Sequence, residues 1–190
     1  MDRATQSFFG AFLLLAFVPL AASAGKNPVG RIPDVAAFNR VRSYCIDMTE
    51  LSRPEAYDVK GFVQVESKPK GLLTKLPWKL EADCTKESPD AIAKVSFRLH
   101  NKMGVVIGTP SDGRLPPMDS YALRAYLQVF DGESQKLLYE LEAAPLDNPD
   151  PQPSTLPDEE PLTLLRRNAT YRAFWTMIDD LKLTSRNHKN

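Results

Sequence analysis

Residues 126–143 read YLQVFDGESQKLLYELEA, two alternating runs folded about an Asp-Gly. Extended upstream, Leu123, Ala125, Leu127 and Val129 alternate into Asp131-Gly132, and Leu137, Tyr139, Leu141 and Ala143 alternate out of it. Both runs offer an apolar face to the same side, and Asp-Gly between such runs is a strong hairpin signal, because glycine readily supplies a positive φ. Glu133 to Gln135 allow a loop longer than two residues. A calcium loop would need several oxygen ligands at regular spacing; Asp131 and Glu133 stand alone, so the acidic turn is expected only to reverse the chain.

Upstream of the hairpin, Ala91, Ala93, Val95, Phe97 and Leu99 alternate with Ile92, Lys94, Ser96 and Arg98, which predicts a strand with one buried face and one wet face. Tyr44, Ile46 and Met48 predict another over RSYCIDM, residues 42–48. Trp78, Leu80, Ala82 and Cys84 predict one over WKLEADC, residues 78–84. Residues 103–107 are read as extending or re-entering the sheet, and GTPSDGRLPPMDS, residues 108–120, as a loop. Ser52 and Glu55 have the spacing of a capping box, with a helical stripe of Ala56, Val59, Phe62 and Val63 behind it. A rival strand reading rests on the alternation of Tyr57, Val59, Val63 and Val65; helix is preferred.

At the C-terminus Tyr171, Phe174, Trp175, Ile178 and Leu181 recur at spacings of three and four, predicting a helix that covers the sheet. Asp158 to Glu160 and Lys182 with Arg186 complement its dipole. Asn168-Ala169-Thr170 has the form of a glycosylation acceptor but falls inside this helix. Between hairpin and helix, residues 145–161 contain six prolines and read as a surface loop. The expected fold is one α+β domain over residues 25–190: a single sheet of about four to six strands with two helices packed on one face.

Residues 1–24 have the layout of a signal peptide: Arg3, then the apolar stretch from Phe8 to Leu20, then Ala22-Ser23-Ala24 before Gly25. The apolar run is too short for a span and breaks at Pro19. Cleavage between Ala24 and Gly25 would leave an exported chain, periplasmic or secreted, with no membrane span. Its charges balance, although residues 103–165 hold 3 basic against 11 acidic residues. No block of like charge suggests a nucleic-acid tail.

Chemical motifs are sparse: two histidines, His100 and His188, no HExxH, no GxSxG and no phosphate loop. No catalytic, metal or cofactor-binding residue is assigned, and no cofactor is expected. An oxidising compartment favours a Cys45–Cys84 disulfide, whereas two regular strands would aim the thiols at opposite faces, so pairing is left open. The wet sheet face would show Arg98, Arg124, Tyr126 and Phe130, residue types enriched at protein interfaces, although scattered apolar residues also occur on plain solvated surfaces. These four form a candidate face for an envelope protein partner. Two other classes stand beside this one: a carrier of a small apolar ligand held between sheet and helix, and a hydrolase using scattered carboxylates.

The order of RSYCIDM, SPDAIAKVSFRL, the VFDGESQKLLYELEA hairpin and the closing ATYRAFWTMIDDLKL helix resembles a group of small exported bacterial alpha/beta proteins of unknown function. The resemblance implies a fold and a compartment, and brings no catalytic residues. The Pro-rich insertion and the two cysteines depart from it.

Overall fold

A computed structural model describes residues 27–85, 88–101, 103–107, 121–143 and 161–187. The expected signal peptide with its Ala24/Gly25 junction, the 108–120 loop, the 145–160 Pro-rich stretch and His188 lie outside them. The described elements run α1 (Val35–Arg40), β1 (Ser43–Asp47), α2 (Arg53–Glu66), a 3-10 turn (Leu73–Lys75), β2 (Lys79–Leu80), β3 (Ala91–Asn101), β4 (Val106–Ile107), β5 (Tyr121–Asp131), β6 (Leu137–Ala143) and α3 (Pro161–Asn187). They form an α+β domain around one mixed sheet of order β2-β1-β3-β5-β6, with β4 pairing β3 beside that path. β2, β1 and β3 are parallel, while β3, β5 and β6 are antiparallel. Residues 103–107 therefore re-enter the sheet, and no described helix is long and apolar enough to cross a membrane.

The hairpin forms as its pattern requires, but not through the glycine geometry expected of it. Positive φ falls on Gln135, at 56°, and not on Gly132. A Cβ on Gly132 would lie 2.0 Å from the Pro89 carbonyl oxygen, and the Gly132 N–H donates to the Asp90 carbonyl at 2.9 Å. Glycine is needed there because two backbones meet. The Asp131 carboxylate accepts from the Ser134 N–H and hydroxyl, both at 2.7 Å. Those local donors hold it below the usual carboxylate range despite partial burial, and the turn binds itself. A bulge between Val129 and Phe130 shifts the register, so Leu138 enters the core and Leu137 sits opposite Phe130, where simple alternation had placed Leu137 inward.

α2 is a helix, and its first turn carries the expected box: the Glu55 carboxylate accepts from the Ser52 N–H at 3.0 Å and the Ser52 hydroxyl at 2.7 Å. Val59 and Phe62 enter the core, and Phe62 stacks on Phe174 of α3. Asp58, also buried, accepts from Arg166 of α3 at 2.9 Å. Along α3 the buried spine is Ala169, Ala173, Phe174, Met177, Ile178 and Leu181. Ala169 and Ala173 take inward positions in this spine, and two of the expected aromatics sit on its flank. Tyr171 is exposed and stacks on half-buried Trp175, which in turn lies 4.5 Å from the Lys75 ammonium.

β2 is shorter than expected. It ends at Leu80, where the Glu81 N–H donates to the Tyr44 carbonyl. Beyond it the chain leaves strand geometry, Ala82 is exposed, and Cys84 reaches Cys45 to form a disulfide with Cα atoms 5.4 Å apart. The opposite-face objection to pairing assumed a regular strand through Cys84, and that assumption fails.

α1 and the segment before it were not anticipated, although Asp34 accepting from the Ala37 N–H at 2.8 Å is an ordinary N-cap. Ahead of it, Arg31 exchanges two backbone hydrogen bonds with Glu140 on the β6 edge. The buried Asp180 carboxylate of α3 accepts from the Val29 and Gly30 N–H groups, each at 2.8 Å, and from the Tyr139 hydroxyl at 2.9 Å.

Candidate interaction face

Among the described residues, the helices cover one side of the sheet only. β3 turns Ala91, Ala93, Val95 and Leu99 inward, and β5 turns Leu123, Ala125, Leu127 and Val129 inward. Alternation then sends Ile92, Lys94, Ser96, Arg98 and His100 of β3 to the other side, with Arg124, Tyr126, Gln128 and Phe130 of β5. All four candidate residues lie on this uncovered face: Arg98 is exposed, and Arg124, Tyr126 and Phe130 are half-buried.

Register sets which of them meet. Arg98 lies opposite Arg124, Ser96 opposite Tyr126 and Ile92 opposite Phe130, while Tyr126 lies opposite Glu142 of β6. Two arginines directly across a ladder repel one another. Arg124 is neutralised by Glu142, at 2.6 Å. The Arg98 guanidinium instead lies 4.2 Å above the Tyr126 ring, a cation–π contact. Phe130 stands apart from this pair, with the Lys94 ammonium 6.0 Å above its ring.

His100 closes the cluster, although its place in the sequence pointed to no role. It is buried; its Nδ1 lies 3.0 Å from the Gly104 carbonyl oxygen, to which it donates, and its Nε2 lies 3.4 Å from the Tyr126 hydroxyl. Glu142 comes within 4.0 Å of the same ring nitrogen. Burial pushes the Tyr126 phenol up, and the nearby Glu142 carboxylate adds to that, while Arg98 pulls the other way. The Arg124 guanidinium holds the Glu142 carboxyl below the usual range, against partial burial. At the far end, burial would raise the Asp47 carboxyl, but Thr49 and Lys94 outweigh it and hold it low.

Two cavities flank these elements. One of about 430 Å³ lies at the β6 edge of the open face and is lined by Val29, Arg31, Tyr126, Gln128, Glu140, Leu141 and Glu142. The other, about 520 Å³, lies under the hairpin turn between Arg40, Asp90 and Asp131. Asp90 there is committed to the Arg42 and Ser43 N–H groups, at 2.9 and 3.0 Å. Among the described residues no three His, Cys, Asp or Glu side chains gather as a metal cluster. Between sheet and α3 the space that a carried ligand would need is filled by Tyr139, Phe174, Met177 and Ile178.

No family model matches the chain, and neither a curated protein nor a solved structure matches it.

Proposed function

We propose that the protein is an exported, non-enzymatic interaction module that docks an envelope partner protein through the open face of its sheet. The observation that carries this reading is the open face itself, on which an exposed arginine is held over a tyrosine and half-buried Ile92 and Phe130 pair farther along the same two strands. Arginine and tyrosine anchors set among apolar side chains are the composition of interface centres. Export is supported by the signal-like residues 1–24 and by the Cys45–Cys84 bond, since such bonds persist in oxidising compartments.

Changing Arg98 and Tyr126 together to alanine tests the docking reading. The melting temperature should stay within a few degrees of the parent, because both side chains lie on the uncovered face. Recovery of a crosslinked partner from intact envelopes should be lost; undiminished recovery would rule the face out. The compartment is checked separately by mass spectrometry of the accumulated protein, with Gly25 expected at its N-terminus.

A further inference from the structure

Among the described residues, each carboxylate of the open face is paired with a cation, and one cation is left over. Asp47 and Glu50 share Lys94, at 3.5 and 2.8 Å; Glu140 pairs with Arg31; Glu142 pairs with Arg124. Arg98 remains, with no carboxylate in ion-pair range among the described residues, beside a second arginine and a buried histidine. The guanidinium lies over the Tyr126 ring, and Arg98 is exposed to an incoming acceptor. The cluster of Arg98, Arg124 and Glu142 therefore carries one net positive charge, and Arg98 presents it at an exposed surface.

From this arrangement we infer that the docked partner presents an acidic segment, an Asp or Glu side chain of which takes Arg98 as its bidentate ion-pair donor. The inference rests on the docking reading above and adds the chemistry of the partner. A membrane surface fits less well, because recognition of anionic lipid draws on clusters of about four to eight unpaired Lys or Arg, and here the neighbouring cations are each neutralised. Free phosphate fits less well too, because the groups around Arg98 are side chains on a flat sheet, without the converging backbone N–H groups of a phosphate cradle. A protein segment can set a carboxylate on Arg98 and an apolar side chain against Tyr126 at once.

The experiment places a photocrosslinking amino acid at Ser96, exposed and opposite Tyr126, in the full chain in intact envelopes. The crosslinked segment is sequenced and synthesised as a peptide, and its affinity is measured for the parent protein and for Arg98→Gln. Arg98→Gln, and replacement of the peptide's acids by their amides, should each raise Kd about tenfold, and the two changes together should add little more, as for a broken ion pair. A captured segment without Asp or Glu, or losses that simply multiply, would overturn the acidic-partner inference while leaving docking intact. Absence of any adduct at Ser96 would overturn the docking reading itself. A melting curve of Arg98→Gln superimposable on that of the parent shows that lost affinity is not lost fold.

Discussion

Asp180 shows what a single residue decides in this molecule. A carboxylate in a helix interior is expected at the surface, yet this one is buried and takes three donors, two of them backbone N–H groups from about 150 residues away in sequence. The approach is tight enough that a Cβ on Gly30 would lie 2.4 Å from the Tyr139 ring. Asp180→Ala should destabilise by about 3 kcal/mol in urea unfolding, since removing the acceptor leaves buried donors unmatched. The total is held down because the 29–31 segment can peel away and meet water. Amide exchange at Val29 and Gly30 should accelerate in the same variant; protection equal to the parent's would mean that the β6 edge alone holds the segment. Neither effect was legible in the sequence, because the alternation and helical stripes that guide such a reading treat an acid as a surface residue.

At the scale of elements, the most exposed dependency is the Cys45–Cys84 bridge. It closes a loop with a sequence separation of 39, for which chain entropy gives about 4 kcal/mol. That is a large part of the roughly 5 to 15 kcal/mol available to a domain. Reduction under native conditions should therefore lower the urea midpoint sharply, and a midpoint unmoved by reductant would show that β1 and β2 are held without it. α3 is the second dependency. Phe174→Ala should destabilise by about 3 to 5 kcal/mol, because the ring is fully buried against Phe62; a chain ending before Asn168 should not accumulate as a folded protein. Tyr171→Ala, on the exposed flank, should change stability by less than about 1 kcal/mol, the scale of an ordinary surface substitution.

For the whole molecule, charge placement sets the pH range of stability. Arg124 depresses Glu142, the Ser134 donors depress Asp131, and Arg31 depresses Glu140. Folded pKa values below the unfolded ones mean stability that is present above the ordinary carboxylate range, near pH 4. It is lost as pH falls through the depressed values. The contributions are small because these side chains are partly exposed. Tyrosines act at the other end: burial pushes the Tyr139 phenol up, and the adjacent Asp180 charge adds to that, while burial alone raises Tyr44. Raised values mean stability fully present below the ordinary tyrosine pKa, about 10, and lost as pH rises beyond it. Urea midpoints should thus be nearly flat from about pH 5 to pH 9 and fall at both ends. In an alkaline absorbance titration, two of the six tyrosines should ionise only as the chain unfolds. Ionisation of all six in one step before unfolding would contradict this burial.

Local chemistry was enough to determine the hairpin, the β3 strand, the capped start of α2, the terminal helix and the division of the central strands into a covered and an open face. Each depends on near neighbours in the chain: period-two or helical spacing, a side chain reaching its own helix end, a turn between alternating runs. Tertiary structure decided the rest. Cys45 and Cys84 meet because β2 stops early, Gly132 is required by a passing backbone and not by its own φ, and the buried side of α3 is taken by Ala169, Ala173, Met177 and Ile178 while Tyr171 and Trp175 sit on its flank. The candidate face divides in the same way. Alternation put Arg98, Arg124, Tyr126 and Phe130 on one side, but the register that sets Arg98 on Tyr126, commits Glu142 to Arg124 and brings His100 beside them is a pairing between strands. Which cation is left without an acid follows from that pairing, because a charge is neutralised by distance in space and not by order along the chain.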